Sequence, residues 1–73
     1  MNIYEQLGMR LRFLRTQKHL SQEDVALEAG INKNYYSDLE RGRRNPTLKC
    51  LDRIATSFNI TLSELLKGIQ SFE

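Results

Sequence analysis

The polar residues best suited to binding another molecule lie in one predicted helix, from about Lys33 to Arg41. At 3.6 residues per turn, five polar side chains of this helix fall within an arc of about 140°: Lys33, Asn34, Ser37, Asp38 and Arg41. Tyr36 and Leu39 fall on the opposite side, where they can anchor the helix to a core. Lysine can donate to guanine O6 and N7, asparagine can pair with adenine N6 and N7, and a carboxylate can accept from cytosine N4. The polar face is therefore suited to reading base edges in a major groove.

The residues near the start of such a helix reach deepest into a groove. We therefore expect Lys33, Asn34 and Ser37 to make most of the base contacts. Asp38 has two interpretations, and both make it part of the same face. Its carboxylate accepts a hydrogen bond from a cytosine, or phosphate repels it and it orients Lys33 or Arg41.

Tyr35 lies at the flank of this helix, and its hydroxyl is expected to donate to a phosphate, with core packing as the alternative. Core packing is the interpretation that we favour for Tyr36. The loop that follows contains three arginines within four residues, Arg41, Arg43 and Arg44. Arginines at this position predict contacts to the nucleic-acid backbone, which contribute affinity without sequence information.

The next helix starts near Asn45-Pro46-Thr47, with either Asn45 or Thr47 as the N-cap. The free N–H groups at such a helix start can bind a phosphate. Asn45 and Thr47 are therefore candidate backbone contacts, and Lys49 adds a positive charge nearby.

The formal net charge is only +2, but it is unevenly distributed. Residues 1–20 contain four basic residues and one acid, and residues 21–30 contain three acids and no base. Residues 31–53 contain six bases and three acids, whereas residues 54–73 contain one base and two acids. A basic surface around the polar helix and the loop after it suits a polyanion.

The length of 73 residues predicts one small domain, residues 1–73, with a core that is marginal without further support. The lone cysteine, Cys50, excludes an internal disulfide and a zinc site built from cysteines, which favours a reducing, cytoplasmic location. The sequence shows no signal-peptide pattern and no apolar run of membrane-spanning length, so no membrane association is expected.

Residues Gln22–Arg41 contain two short helical patterns on either side of a turn at Gly30. This stretch resembles the helix-turn-helix of the Cro and phage-repressor family, also called the xenobiotic-response-element family. The matching residues are Gln22, Ala26, Gly30, Ile31, Tyr36 and Leu39, followed by Glu40-Arg41-Gly42 and Pro46. The resemblance extends from about Leu7 to Leu65. It implies an all-α, five-helix bundle of the lambda-repressor-like type, with the helix-turn-helix formed by helices 2 and 3.

The resemblance also assigns roles to three residues outside the polar face. Gln22 is expected where helix 2 meets the DNA backbone, with support of a recognition-helix side chain as a further role. Arg15 and Glu40 are expected to form a structural salt bridge between the first and third helices. Among small members of the family, the chain looks most like phage-type repressors and the controller proteins of restriction–modification systems.

The remaining helices are predicted from apolar spacing. Helix 1 runs from about Ile3 to Lys18 and helix 2 from Gln22 to Ala29. Helix 4 runs from roughly Thr47 to Phe58, with Leu48 and Leu51 in its core stripe. Thr61 with Glu64 forms a capping box for helix 5, which carries Leu62, Leu65, Leu66 and Ile69. The apolar content of helices 4 and 5 predicts a core contribution and a dimer interface, formed by Leu65, Leu66, Ile69 and Phe72.

Together these features predict a sequence-specific, double-stranded DNA-binding transcriptional regulator that acts as a homodimer on a pseudo-palindromic operator. Two recognition helices would enter successive major grooves about 34 Å apart. The sequence lacks the residue arrangements of a catalytic or metal site, so we expect no enzyme activity, cofactor, metal or small-molecule ligand. The alternative is a helical protein-interaction module of antitoxin or antirepressor type, which would bind a protein through Met9, Phe13 and the helix 5 surface.

Overall fold

Five α-helices follow one another in the computed structural model, which describes residues 1–70. Their bounds are α1 (Ile3–Gln17), α2 (Gln22–Ala29), α3 (Lys33–Glu40), α4 (Leu48–Ser57) and α5 (Leu62–Leu65). α1 packs on α3, α2 packs on both α3 and α4, and α4 packs on α5. None of the helices in this range combines the length and apolar content that crossing a membrane requires. The prediction of an all-α fold is confirmed.

Each helix begins at a polar side chain that accepts a hydrogen bond from a free backbone N–H. Asn2 and Ser21 form complete capping boxes with the third residue of α1 and α2. Asn32 caps α3, and Thr47, not Asn45, caps α4. Thr61 Oγ1 accepts from Glu64 N at 3.1 Å, which is one half of the capping box predicted there. Capping therefore explains where the chain enters each helix.

The core lies where the apolar faces of all five helices meet. Its buried members are Leu7, Leu11, Val25, Ala26, Ala29, Tyr36, Leu39, Ile54, Ala55, Phe58 and Leu65. Leu14, Ile31, Cys50 and Leu51 are half-buried against this cluster. Leu48 was predicted in the core stripe, but 68% of it is exposed, because it is the first residue of α4 and lies beyond the packed face.

α1 and α3 approach each other closely at Gly8. A Cβ atom placed on Gly8 would lie 2.4 Å from the carbonyl oxygen of Glu40 and 2.8 Å from that of Leu39. These are backbone atoms, which cannot move aside as a flexible side chain can. Glycine at position 8 therefore lets α1 lie directly against the C-terminal end of α3.

α5 is a single turn, shorter than the apolar pattern predicts. Leu66 is its C-cap, and the chain then turns through Gly68, which has a φ of 83°. Arg10 of α1 donates to the carbonyl oxygens of Glu64 and Leu65, at 2.8 and 3.2 Å. The arginine thus ties α1 to the C-terminal end of α5, where carbonyl oxygens lack the i+4 donors of a continuing helix.

Candidate nucleic-acid interface

α3 divides into an inward and an outward face, as the spacing predicts. Tyr36 and Leu39 are buried in the core. On the outward face, Lys33 and Asn34 are exposed, and Ser37 and Asp38 are half-buried. The last residue predicted for this face, Arg41, is the exposed C-cap of α3 and not part of the helix. The polar side chains therefore project together from one side of the molecule.

The turn between α2 and α3 is closed by backbone hydrogen bonds. Gly30 has a φ of 72°, in the left-handed region that glycine adopts without steric cost. The N–H of Ile31 donates to the carbonyl oxygen of Ala26 at 2.9 Å, which satisfies a carbonyl at the end of α2. Asn32 then caps α3 by accepting from Tyr35 N. Three consecutive residues therefore fix the direction in which α3 leaves α2.

A buried carboxylate fixes the other end of α3. Arg15 Nε donates to Glu40 Oε2 at 2.7 Å, and Arg15 Nη2 donates to Glu40 Oε1 at 3.0 Å. Gln22 Nε2 donates to the same Oε1 at 3.0 Å. The salt bridge expected between α1 and the end of α3 is therefore present. The hydrogen bond from Gln22 to Glu40 is the supporting role expected of Gln22 toward a side chain of α3, and its contact with the DNA backbone stays a prediction.

The pKa values of this cluster reflect its burial and its pairing. Burial raises the pKa of Glu40, but hydrogen bonds from Arg15 and Gln22 outweigh burial and hold it below its ordinary value. The hydrogen bond to Glu40 raises the pKa of Arg15. Burial, together with the nearby Glu40, raises the pKa of Tyr36, whose hydroxyl makes no hydrogen bond of acceptable geometry within residues 1–70. Glu40 and Arg15 are therefore both charged at neutral pH.

Asp38 is paired with two arginines. Arg41 Nη1 donates to its Oδ1 and Arg44 Nε donates to its Oδ2, each at 3.4 Å. Of the two partners predicted for Asp38, Lys33 and Arg41, the structure brings only Arg41 into contact. The contact with Arg44 was missed, because it joins residues six apart across the end of a helix. Helical spacing does not reveal such a pair.

Tyr35 takes part in this arrangement through its ring. The guanidinium carbon of Arg44 lies 5.4 Å from the centre of the ring, within the range of a cation–π contact. The ring is half-buried against the core. Burial, followed by the neighbouring Cys50 thiol, raises the pKa of the Tyr35 hydroxyl. The core-packing alternative for Tyr35 therefore holds in part, and the ring also supports an arginine.

The loop from α3 to α4 keeps its basic side chains at the surface. Gly42, with a φ of 74°, ends α3 and lies against Glu5 of α1. Arg43, Arg44, Asn45, Thr47 and Lys49 are all exposed. The Thr47 hydroxyl accepts from Cys50 N, so Thr47 and not Asn45 holds the start of α4. Each backbone-contact candidate in this loop is accessible from outside.

The four residues predicted for the dimer interface do not share one environment. Leu65 is completely buried in the core, so the prediction that it contacts a second copy is wrong. The reason is that α5, one turn long, must bury its apolar side against α4. Leu66 and Ile69 are half-buried, and Phe72 lies outside the described residues.

Leu66 and Ile69 line an open groove of about 270 Å³. The other lining residues are Ile3, Tyr4, Leu7, Asn45, Pro46 and Leu51. Within residues 1–70, no three histidine, cysteine or acidic side chains are grouped in a way that could hold a metal ion.

Comparison with known proteins shows that this chain is similar to transcriptional regulators. The helix-turn-helix family matches residues 11–65. Over 63 residues the chain is 44% identical to the HTH-type transcriptional regulator DdrOP3 of Deinococcus deserti, covering 86% of this chain and 49% of that protein. It therefore spans about half the length of that relative. It is 42% identical to control protein C.MunI of a Mycoplasma species, with 86% of each chain covered.

A solved structure agrees with this comparison. The restriction-modification controller protein C.AhdI from Aeromonas hydrophila superposes with a TM-score of 0.83 and 42% identity, covering 85% of this chain and 94% of that one. The predicted lambda-repressor-like five-helix fold is thereby confirmed. The names of these relatives, regulators and control proteins, agree with the prediction that the chain is not an enzyme.

Proposed function

The chain belongs to the helix-turn-helix family of transcriptional regulators, and we propose that it binds a pseudo-palindromic operator in double-stranded DNA as a homodimer. The observation that carries this proposal is the outward face of α3. That face presents exposed Lys33 and Asn34 at the first turn of α3, while the opposite face is buried in the core. Arg43, in the loop after α3, is also exposed. A rigid helix with accessible donors at its first turn is the geometry that reading a major groove requires.

The proposed contacts separate into those that read bases and those that hold the backbone. Lys33, Asn34 and Ser37 read base edges from the first two turns of α3. The backbone contacts come from exposed or half-buried residues around this face: Gln22, Tyr35, Arg41, Arg43, Arg44, Asn45, Thr47 and Lys49. Of these, Gln22 would also keep its hydrogen bond to Glu40, so its position on DNA depends on the brace between α1 and α3.

Residues 1–73 would act as one domain, with α4 and α5 completing the core and supporting the dimer. We assign the dimer contact to the groove at Leu66 and Ile69, since Leu65 is buried. The resemblance to a control protein and to a restriction-modification controller protein makes control of a restriction–modification system the favoured setting. The location would be the cytoplasm, where such a regulator meets its operator.

The test is a selection of bound sequences from a random duplex pool, followed by affinity measurements over a range of salt concentrations. Lys33→Ala should relax preference at one base pair, worth about 1–3 kcal/mol, and leave preferences elsewhere unchanged. Arg43→Ala should weaken all duplexes alike and make the slope of log K against log salt shallower by about 0.9. Lys67→Ala is the matched control, since it removes an exposed lysine from the segment after α5.

A second candidate function rests on two exposed apolar residues of α1. Met9 is 60% exposed and Phe13 is 51% exposed, four residues apart, with the Arg10 guanidinium 5.8 Å from the centre of the Phe13 ring. Such a pair suits contact with another protein. Absence of measurable duplex affinity at low salt would overturn the DNA-binding proposal and leave this protein-interaction function in its place.

A further inference from the structure

Asp38 is an acid on a face that is otherwise suited to an anionic ligand. Each of its two carboxylate oxygens accepts from a different arginine, Arg41 and Arg44, and both contacts measure 3.4 Å. The Asp38 side chain is 26% exposed, whereas those of Arg41 and Arg44 are 58% and 52% exposed. The carboxylate therefore lies below two arginines that remain open to the outside.

Arg44 is held on a second side as well. Its guanidinium lies over the ring of Tyr35, which is itself half-buried against the core. Arg44 is thus positioned between a carboxylate and an aromatic ring, both of which belong to α3. Arg41 follows directly after α3 as its C-cap. The directions of both side chains therefore depend on α3, although neither residue is in the helix.

We propose that Asp38 is a positioning residue that raises sequence specificity by acting as an internal competitor for Arg41 and Arg44. The proposal rests on the proposed DNA-binding function and assigns Asp38 a role other than base contact. A carboxylate and a phosphate offer guanidinium groups the same kind of charge-assisted hydrogen bond. A DNA phosphate must therefore share or replace Asp38 at each arginine.

The length and exposure of the two contacts decide how this competition works. Hydrogen bonds of 3.4 Å are long, and exposed ion pairs contribute little stability, so phosphate can replace the carboxylate at small cost. On a non-specific duplex the competition only reduces affinity. On the operator, where α3 is seated in one orientation, the same carboxylate also aims the arginines at their phosphates. The loss of affinity that the competition causes is therefore offset on the operator and not on a non-specific duplex.

The experiment compares Asp38→Asn with Asp52→Asn in the full chain. Asp52 is an exposed aspartate of α4 and has the same charge and shape change, away from the arginine pair. The probes are the duplex selected by the unmodified chain and a scrambled duplex of the same length. Relative to Asp52→Asn, Asp38→Asn should raise affinity for the scrambled duplex roughly three- to tenfold. For the scrambled duplex, Asp38→Asn should also steepen the slope of log K against log salt by about 1 to 2. It should not raise the affinity for the selected duplex.

A second measurement tests whether the effect passes through the arginines. In a chain carrying Arg41→Gln and Arg44→Gln, Asp38→Asn should change scrambled-duplex affinity no more than Asp52→Asn does. A larger effect in that background would overturn the proposal. So would a loss of affinity confined to duplexes with a cytosine at one position, because it would make Asp38 a base contact.

The outcome also separates this inference from the proposed function. If the unmodified chain binds no duplex, the DNA-binding proposal itself fails. If it binds and Asp38→Asn behaves like Asp52→Asn on both duplexes, only the role of Asp38 is overturned. Thermal unfolding of each variant checks that the differences do not come from loss of the fold.

Discussion

At the scale of single residues, Glu40 connects three helices through one carboxylate. Only 4% of its side chain is exposed, yet Arg15 of α1 and Gln22 of α2 give it three hydrogen bonds. A buried charge is tolerated when its oxygens are satisfied in this way, and it becomes costly when a partner is removed. The position of α3 therefore depends on an interaction that is not part of the outward face proposed to bind DNA.

The stability contributed by Glu40 should depend on pH in the acid range. Its pKa is below the ordinary value, so the unfolded chain binds its proton first as the pH falls. The contribution is fully present above the unfolded pKa of about 4.3 and is lost as the pH falls through the lower folded pKa. At pH 7, Glu40→Gln should lower the free energy of unfolding by about 2 kcal/mol. Urea unfolding between pH 7 and pH 3 should show this difference shrinking.

Glu23→Gln is the control for this prediction, since Glu23 is an exposed glutamate at the start of α2. It should change the free energy of unfolding by no more than about 0.5 kcal/mol at any of these pH values. A Glu40→Gln difference that stays constant from pH 7 to pH 3 would contradict the assignment of the pH dependence to Glu40.

At the scale of helices, the contact between α1 and α3 depends on Gly8. Alanine favours a helix over glycine by about 1 kcal/mol, so Gly8→Ala would be stabilising if only α1 mattered. The added Cβ, however, would lie 2.4 Å from a backbone carbonyl oxygen of α3. Overpacking against backbone should outweigh the helix preference, with a net loss of about 2 kcal/mol in thermal or urea unfolding.

Arg12→Ala provides the comparison within the same helix, because Arg12 is exposed. The free energy of unfolding of Arg12→Ala should stay within about 0.5 kcal/mol of that of the unmodified chain. If Gly8→Ala unfolds at the same urea concentration as Arg12→Ala, or at a higher one, the close approach of α1 and α3 is not what keeps glycine at this position.

How far each helix could be predicted from the sequence depends on what ends it. α2 was predicted to the residue, because Ser21 caps its start and Gly30 ends it with a left-handed backbone. α5 was predicted too long, because the apolar residues after Leu65 continue through a turn and not through a helix. Local signals therefore place helix ends well, whereas apolar spacing alone does not.

The candidate site was predictable to the extent that it lies on one helix. The division of α3 into inward and outward faces follows from helical geometry, and it is correct at Tyr36 and Leu39. The stacking of Arg44 on Tyr35 and its contact with Asp38 depend on the path of the loop after α3. The closeness of Gly8 to α3 depends on the distance between two helices. Neither the path of that loop nor the distance between α1 and α3 can be predicted from the spacing of residues in the sequence.

At the scale of the whole molecule, the apolar groove at Leu66 and Ile69 is the surface proposed for the homodimer contact. A core formed by one small chain supplies limited stability, and a second copy can bury apolar surface that the first leaves accessible. Leu66 and Ile69 are half-buried, and Ile3 and Tyr4, which line the same groove, are 44% and 38% exposed. We therefore expect the proposed dimer to form through this groove.

Sedimentation of the chain at micromolar concentration should show a dimer, and Ile69→Glu should shift it to monomer because a charge would be buried at the contact. The affinity for the operator should fall when dimerisation is lost, because each monomer must then bind its half-site as a separate molecule. Leu27→Glu is the control: Leu27 is 82% exposed on α2, and its substitution should leave sedimentation unchanged. An unmodified chain that sediments only as a monomer, with and without the selected duplex, would contradict dimerisation. A dimer that persists in Ile69→Glu would place the contact on another surface.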